Sequence, residues 1–292
     1  MSLLFNRKTE LHVFTTGEKT IIKGLDMSFN IVATRDSKPN TAKITVFNLA
    51  ETSRNLFSTS MLGIEFWAGY GENIGMIFRG SWDDETSKIR HKKNGTTWVT
   101  TIETGDGLKE FQNTFFDKSY SKGIDVKTIL TDVANSMGLP VVLDYDGNDI
   151  LNSGASYSGK ANSVLDDLAI EYNLGWSIQH GAVEIVDPDD PPKNDATAVL
   201  LTPDTGLVGR PTITDKGMEC GALMMATIKP TRLVKLDPAT IDTDLGSKQD
   251  AIKSGIKPTA SGVYIVDRVQ YTGDNMGGPF NTKITSELAV EK

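Results

Sequence analysis

The hydrophobic period of this sequence changes twice along its length, from two residues to about 3.6 and back to two, and one layer of structure cannot satisfy both. Leu25, Met27, Phe29, Ile31 and Ala33 alternate with Asp26, Ser28, Asn30, Val32 and Thr34, the pattern of a strand with one buried face. Residues 41–49 read as a second strand, followed by a polar, helix-tolerant stretch over 51–57. Residues 64–70 and 76–80, on either side of Gly71, suggest a hairpin. Asn94-Gly95, between 88–91 and 97–102, suggests another, because both residues tolerate positive φ. These signals predict an all-β first domain ending near Gly105-Asp106-Gly107.

Ile124, Val126, Ile129, Leu130, Val133, Ala134 and Met137 then share one face at helical spacing, and Gly138 stops the helix as a left-handed cap would. Residues 163–174 repeat the pattern of 128–139, with the common core apolar-Leu-x-Asp-apolar-Ala. The chain therefore uses one helix-then-strand unit twice, the second copy continuing through Trp176 and Ile178, a turn at His180-Gly181, and residues 183–186. Asp187-Pro188-Asp189-Asp190-Pro191-Pro192 is a linker, since three prolines in six residues suit neither a ladder nor a helix interior. Strand candidates resume at 199–201, 218–225, 233–236, 263–271 and 282–288. The polar stretch 240–258 is expected to be a long surface loop that orders against a partner. The expected fold is mainly β with a small α+β middle: residues 1–107, 108–195 and 196–292, with boundaries free to interleave.

Several chemistries fail on their own requirements. With 30 basic against 38 acidic side chains, the net charge of −8 argues against a protein that holds nucleic acid, though not against one that lets DNA slide past. No run reaches the ~18 apolar residues of a membrane span, and the start lacks a secretory apolar core, so a soluble cytoplasmic product without a membrane anchor is expected. Cys220 is the only cysteine, which leaves no internal disulfide and no cysteine zinc site. His12, His91 and His180 are scattered and read as surface or core residues rather than as metal ligands.

Gly154-Ala155-Ser156-Tyr157-Ser158-Gly159-Lys160 matches the first seven positions of a phosphate loop, but Ala161 has no hydroxyl for magnesium and residues 144–153 are too polar for a buried delivering strand. It is read as a flexible turn into the second helix. Asp83, Asp84 and Glu85 beside Trp82 have no opposing acid for glycoside hydrolysis and read as a solvated hairpin. Asp187, Asp189, Asp190 and Asp195 lack the register of a calcium loop. Neither a serine nor Cys220 sits in a nucleophile elbow. Phe66, Trp67, Tyr70, Phe78, Trp82 and Trp98 have too few interleaved cations for a nucleic-acid stacking platform and read as core. No catalytic, cofactor-binding or metal-binding residue is assigned.

The order of pieces carries a resemblance. Asn40 through Leu49, Glu51-Thr52-Ser53-Arg54, Ala68-Gly69-Tyr70-Gly71 and Ile77-Phe78-Arg79-Gly80 resemble the first barrel of phage baseplate hub proteins. Val199 through Pro211, Asp215-Lys216-Gly217-Met218, Gly262 through Val266 and Gly273-Asp274-Asn275-Met276-Gly277-Gly278 look like the part that closes a second barrel. This family is similar to the late control protein D group and to the hub part of type VI secretion spike proteins. The resemblance implies two tail-tube-like β-barrels flanking a helix-strand repeat. It also implies a virion baseplate hub, assembled in the host cytoplasm: a homotrimer that adapts a sixfold tail tube to a threefold central spike, without catalysis or cofactor. The implied partners are the tail tube protein, the central spike protein, the tape measure protein and other baseplate proteins, with DNA present only in transit. Acidic side chains lining such a ring would repel passing phosphates. The chain departs from the family over residues 220–230 and in the length of 240–258. The alternatives are a tail-tip protein of a non-contractile phage, a cell-wall-degrading tail enzyme and a P-loop nucleotidase.

Overall fold

The computed structural model describes residues 6–57, 61–187, 198–214, 217–236 and 262–288. The first part holds β1 (Arg7–Thr15), β2 (Lys19–Lys23), β3 (Met27–Thr34), β4 (Thr41–Phe47), helix α1 (Glu51–Leu56), β5 (Met61–Tyr70), β6 (Asn73–Ser81), β7 (Lys88–Asn94) and β8 (Thr97–Gly105). The middle holds α2 (Leu108–Asn113), β9 (Phe115–Tyr120), α3 (Val126–Ser136), β10 (Val141–Asp144), β11 (Ala155–Lys160), α4 (Ala161–Glu171), β12 (Gly175–Gln179) and β13 (Ala182–Val186). The last part holds β14 (Val199–Leu201), β15 (Leu207–Ile213), β16 (Gly217–Leu223), β17 (Leu233–Leu236), β18 (Val263–Asp274) and β19 (Phe280–Leu288). The fold is mainly β, and no described helix is long and apolar enough to cross a membrane.

Among the described residues fourteen strands form one sheet, ordered β15-β16-β19-β18-β3-β4-β8-β6-β5-β1-β2, with β7 on β8, β17 on β18 and β14 on β17. Two strands split an edge between two partners. The edge of β8 opposite β4 takes β7 along Thr97 to Glu103 and β6 at Gly105 alone. Likewise β18 gives Val263 to Ile265 to β17 and Arg268 to Asp274 to β3. These forks let the sheet turn over itself around one apolar core, which draws Leu11, Phe29, Ile44, Phe66, Phe78 and Ile102 from the first part and Met218, Val269, Tyr271 and Ile284 from the last. No closed ring of strand pairs forms among the described residues, so the expected barrels are open sheets wrapped on a common core.

The alternation read in β3 holds: Met27, Phe29, Ile31 and Ala33 are buried. The hairpin at Asn94-Gly95 needs a correction. Asn94 stays in the strand opposite Thr97, and Gly95 alone takes positive φ, at 60°, so the two turn residues are Gly95 and Thr96. That is the arrangement of a turn with glycine at its first central position, which asks nothing special of Asn94.

The middle part has its own core. Val126, Ile129, Leu130, Val133 and Ala134 of α3 are buried, and so are Ala161, Val164, Leu165, Leu168 and Ala169 of α4, each 35 residues later. The two helices end alike, on Gly138 at φ 73° and Asn173 at φ 52°, left-handed positions that glycine and asparagine adopt at least cost. Each helix feeds a strand, β10 or β12, and both flank β13, the first parallel and the second antiparallel.

Candidate functional site

The seam between the first and last parts is the feature most dependent on exact packing. Strand β3 pairs with β18 from Ser28↔Asp274 to Thr34↔Arg268. At its end Gly273 lies opposite Phe29 on one side and Phe280 on the other. The two rings lie 5.8 Å apart edge to face, and Phe66 and Tyr70 pack against them at 4.8 and 5.3 Å. A β-carbon at 273 would stand 2.4 Å from the Phe29 ring, so glycine is required there. The β18–β19 turn is clasped by the first part. Asn275 accepts from Met27 N–H and donates to Leu25 O, each at 2.8 Å, and Arg7 donates to the carbonyls of Asp274 and Gly278.

From this seam, four strands run each way: β18, β19, β16 and β15 on one side, β3, β4, β8 and β7 on the other. Their outward face is polar and tied by cross-strand pairs. Lys43 meets Glu103 at 3.0 Å, Lys283 meets Glu219 at 3.1 Å, and Gln270 donates to Asn30 at 2.9 Å. The bond from Lys43 is the main cause that holds the Glu103 carboxyl below its usual range. Cations (Lys43, Lys88, Arg90, Lys92, Arg268 and Lys283 among them) outnumber the carboxylates Glu103, Glu219, Asp274 and Glu287 on this face. The negative charge of the chain therefore lies elsewhere.

The middle part meets the sheet through a buried polar junction. Asn40 donates to Ile178 O and to the Gln179 side chain, both at 3.0 Å, and accepts from Thr34 N–H at 2.9 Å. Gln179 donates in turn to Thr34 O. Beside them Asp106, only 1% exposed, accepts from Gly181 N–H at 2.9 Å while its other oxygen has no hydrogen-bond partner among the described residues. Burial raises its carboxyl well above the usual range, against the opposing bonds from Gly181 and His180 and the charge of Arg79. Burial, then Lys229, pushes His180 the other way, down to about 4. The other side of the junction is a cleft with Arg35, Asp36, Asp166, Ile170, Asp267 and Glu287 on its walls.

The candidate chemistries of the sequence are dispersed. Residues 155–160 form β11, paired along β9, not a flexible turn: Ala155, Tyr157 and Gly159 alternate inward, and Tyr157 packs edge-on to Tyr120. An extended, laddered strand cannot cradle phosphate. Asp83, Asp84 and Glu85 do not lie in a hairpin, because β6 and β7 both pair with β8 and not with each other. Asp83 is buried and accepts from Thr86, and Asp84 accepts from Trp82. His12 lies between Glu10, at 3.0 Å, and Glu65, at 3.3 Å, while His91 bonds Thr100. Cys220 is buried, and burial pushes its thiol up to about 12. Of the six aromatics, Phe66, Tyr70 and Phe78 are core, and Trp67, Trp82 and Trp98 are partly exposed. Asp187 is described, whereas Asp189, Asp190, Asp195 and the 240–258 stretch lie outside the described residues.

The pairing of junction and seam is not legible in the sequence, although two of their pieces are: Gly105-Asp106-Gly107 reads as a boundary, and Gly273 through Gly278 as part of a closing strand pair.

No family model and no curated protein matches the sequence. Solved structures share the fold. The chain is similar to the prophage MuSo2 43 kDa tail protein from Shewanella oneidensis, with a TM-score of 0.59 and 10% identity over 96% of this chain and 98% of that one. A tail protein from Neisseria meningitidis MC58 gives 0.56 and 11% over 96% of each chain. The E. coli c3393 protein gives 0.61 and 10% over 91% of this chain and 74% of that one. It is described as a type VI secretion component with structural similarity to the T4 bacteriophage tail proteins gp27 and gp5. At this identity the likeness is one of fold.

Proposed function

We propose that the chain is the structural hub of a phage tail baseplate: a homotrimer that joins the sixfold tail tube to the threefold central spike and leaves a channel for DNA. The observation that carries this reading is the layer of eight strands built as four plus four around the β3·β18 seam. Three copies related by rotation set six half-layers around one axis, which is what an adaptor between sixfold and threefold neighbours requires. In this reading residues 1–107 and 196–292 supply the two tube-like units, and residues 108–195 the outlying one. Whole-chain likeness to two tail proteins supports it, as does the likeness to a protein itself compared with gp27 and gp5. The chain works without catalysis or cofactor, in the virion baseplate after assembly in the host cytoplasm. Its neighbours are the tail tube, central spike, tape measure and other baseplate proteins.

Negative-stain electron microscopy tests this, with the purified protein imaged alone and then mixed with a candidate spike protein. Rings with a central hole and a threefold or pseudo-sixfold outline are expected. Compact single particles in both samples would overturn the hub reading.

A further inference from the structure

Asp106 stands out among the buried groups because only one of its carboxyl oxygens has a protein partner. The backbone around it is confined: β-carbons at Gly105 and Gly107 would stand 2.7 Å from the side chains of Leu108 and Ile178. Oδ1 accepts from Gly181 N–H at 2.9 Å and so holds the His180-Gly181 turn, while Oδ2 has no hydrogen-bond partner among the described residues. An asparagine carbonyl could hold that turn without a charge to bury. A carboxylate that is 1% exposed with one oxygen idle is costly, so Oδ2 calls for a donor that this chain does not supply.

The donor has a place to enter. Asp106 lines a cavity of about 290 Å³ between the first and middle parts. Phe14, Leu62 and Leu139 give this cavity an apolar lining, and Ser81, Glu110 and Arg79 add polar groups. Ser81 donates to Glu110 Oε2 at 2.8 Å, which leaves its own oxygen free to accept. Arg79 does not bond Oδ2, and its stem lies along Gly181, where a β-carbon would stand 3.3 Å from it. Lys19 reaches the Phe14 ring at 5.1 Å but is engaged by Glu65 at 3.7 Å. With that pair set aside, the carboxylates Asp106 and Glu110 face the single guanidinium of Arg79, and the surplus is negative. An apolar stem that ends in one positive charge and three donors fits both kinds of lining, and a lysine side chain is that group.

We propose that this cavity is a socket for a lysine side chain of a partner protein, with the ammonium on Asp106 Oδ2, Glu110 and Ser81 Oγ and the stem along Phe14, Leu62 and Leu139. The socket goes beyond the hub reading and does not depend on it. The charged and titratable groups facing Asp106 are Arg79 on β6, Glu110 on α2 and His180 on the turn. Burial raises the Asp106 carboxyl, and an ammonium beside it favours the ionised form, so binding releases a proton and tightens as pH rises through that raised range.

Nuclear magnetic resonance of the full-length protein carrying nitrogen-15 glycine tests this, with the Gly181 amide as reporter. Nα-acetyl-lysine N-methylamide should shift that amide saturably at about millimolar concentration, and more tightly at higher pH. The norleucine counterpart, which has the same stem and no ammonium, should not. Asp106→Asn keeps an acceptor for the turn and should weaken binding by about tenfold or more and remove its pH dependence. Glu110→Gln, at a partly exposed position, should weaken it a few-fold and serves if Asp106→Asn does not fold. No saturable shift, or an equal shift with the norleucine compound, overturns the socket. Butylamine binding where the blocked lysine does not would mean a site for free small amines only, and acetate binding in its place would make Arg79 the binding group; either result overturns lysine docking.

Discussion

At the scale of single residues, the seam turns on an absence of side chain. Gly273 is wedged between the Phe29 and Phe280 rings, with its would-be β-carbon 2.4 Å from one and 2.8 Å from the other. Both rings belong to the common core and cannot retreat without opening it. Gly273→Ala should therefore cost about 1–3 kcal/mol as an overpacking change, measured by urea unfolding. Gly277→Ala, where nothing lies within 4 Å, should change stability by less than ~0.5 kcal/mol. The junction makes a second prediction through His180, held down to about 4 chiefly by burial. Between its ordinary value of 6.5 and about 4 the unfolded chain binds a proton that the native imidazole refuses, so stability rises with pH through that window. As pH falls through it, at most roughly 3 kcal/mol is lost, less what partial exposure returns. Asp106 opposes this: its raised carboxyl keeps a proton that the unfolded chain releases, so its contribution to stability falls as pH rises above the ordinary carboxylate range. His180→Asn keeps the left-handed turn at φ 53° and removes the imidazole. The unfolding free energy of this variant should fall less between pH 6.5 and 4.5 than that of the parent chain, and an unchanged slope would clear His180 of the role.

At the scale of elements, the repeated helix offers an internal control. Gly138 and Asn173 occupy equivalent left-handed positions after α3 and α4. Asparagine tolerates that conformation less well than glycine, so Asn173→Gly should stabilise the chain by a few tenths to about 1 kcal/mol. Gly138→Ala should cost about 1 kcal/mol or more by thermal melting, because alanine has no local hydrogen bond to offset a positive φ. The repeat was legible from sequence because its five buried positions recur at fixed spacing with a stop signal after each copy. Strands β3 and β4 were legible for a similar reason: each buries one face, and period two survives in the letters. Strand β11 was not. Its alternation is Ala155, Tyr157 and Gly159 against Ser156, Ser158 and Lys160, a weak contrast in hydrophobicity, and its two serines between Gly154 and Gly159 imitate a loop. The turn at Gly95 was placed one residue early because a dipeptide preference cannot tell which of two frames the ladder selects.

The whole molecule is two cores joined by a few polar side chains. One core is assembled from strands on both sides of the middle part, and the other lies within it. That arrangement was not available to pattern reading, because β3 and β18 find each other across more than two hundred residues and nothing in either segment names the other. Asn40 joins the two cores from both of its ends. Its side chain bonds Ile178 and Gln179 of the middle part, and its backbone carbonyl accepts from Asp106 N–H at 2.9 Å. Asn40 is 4% exposed, so truncation leaves the carbonyl of Ile178 and the amide of Gln179 short of a partner away from water. Neither core loses an apolar contact. Asn40→Ala should therefore keep both cores folded while separating their unfolding, with the middle part opening first. Hydrogen exchange read by mass spectrometry checks this. In the parent chain the amides of α3 and α4 should exchange with the same free energy as those of β3 and β18. In Asn40→Ala the helices should exchange faster by about tenfold or more, the rate ratio of a ~1–3 kcal/mol loss at one buried polar contact. Equal acceleration of both sets would mean that Asn40 stabilises the sheet alone, with the two cores coupled by the remaining bonds of the junction, Gln179 to Thr34 O and Gly181 N–H to Asp106.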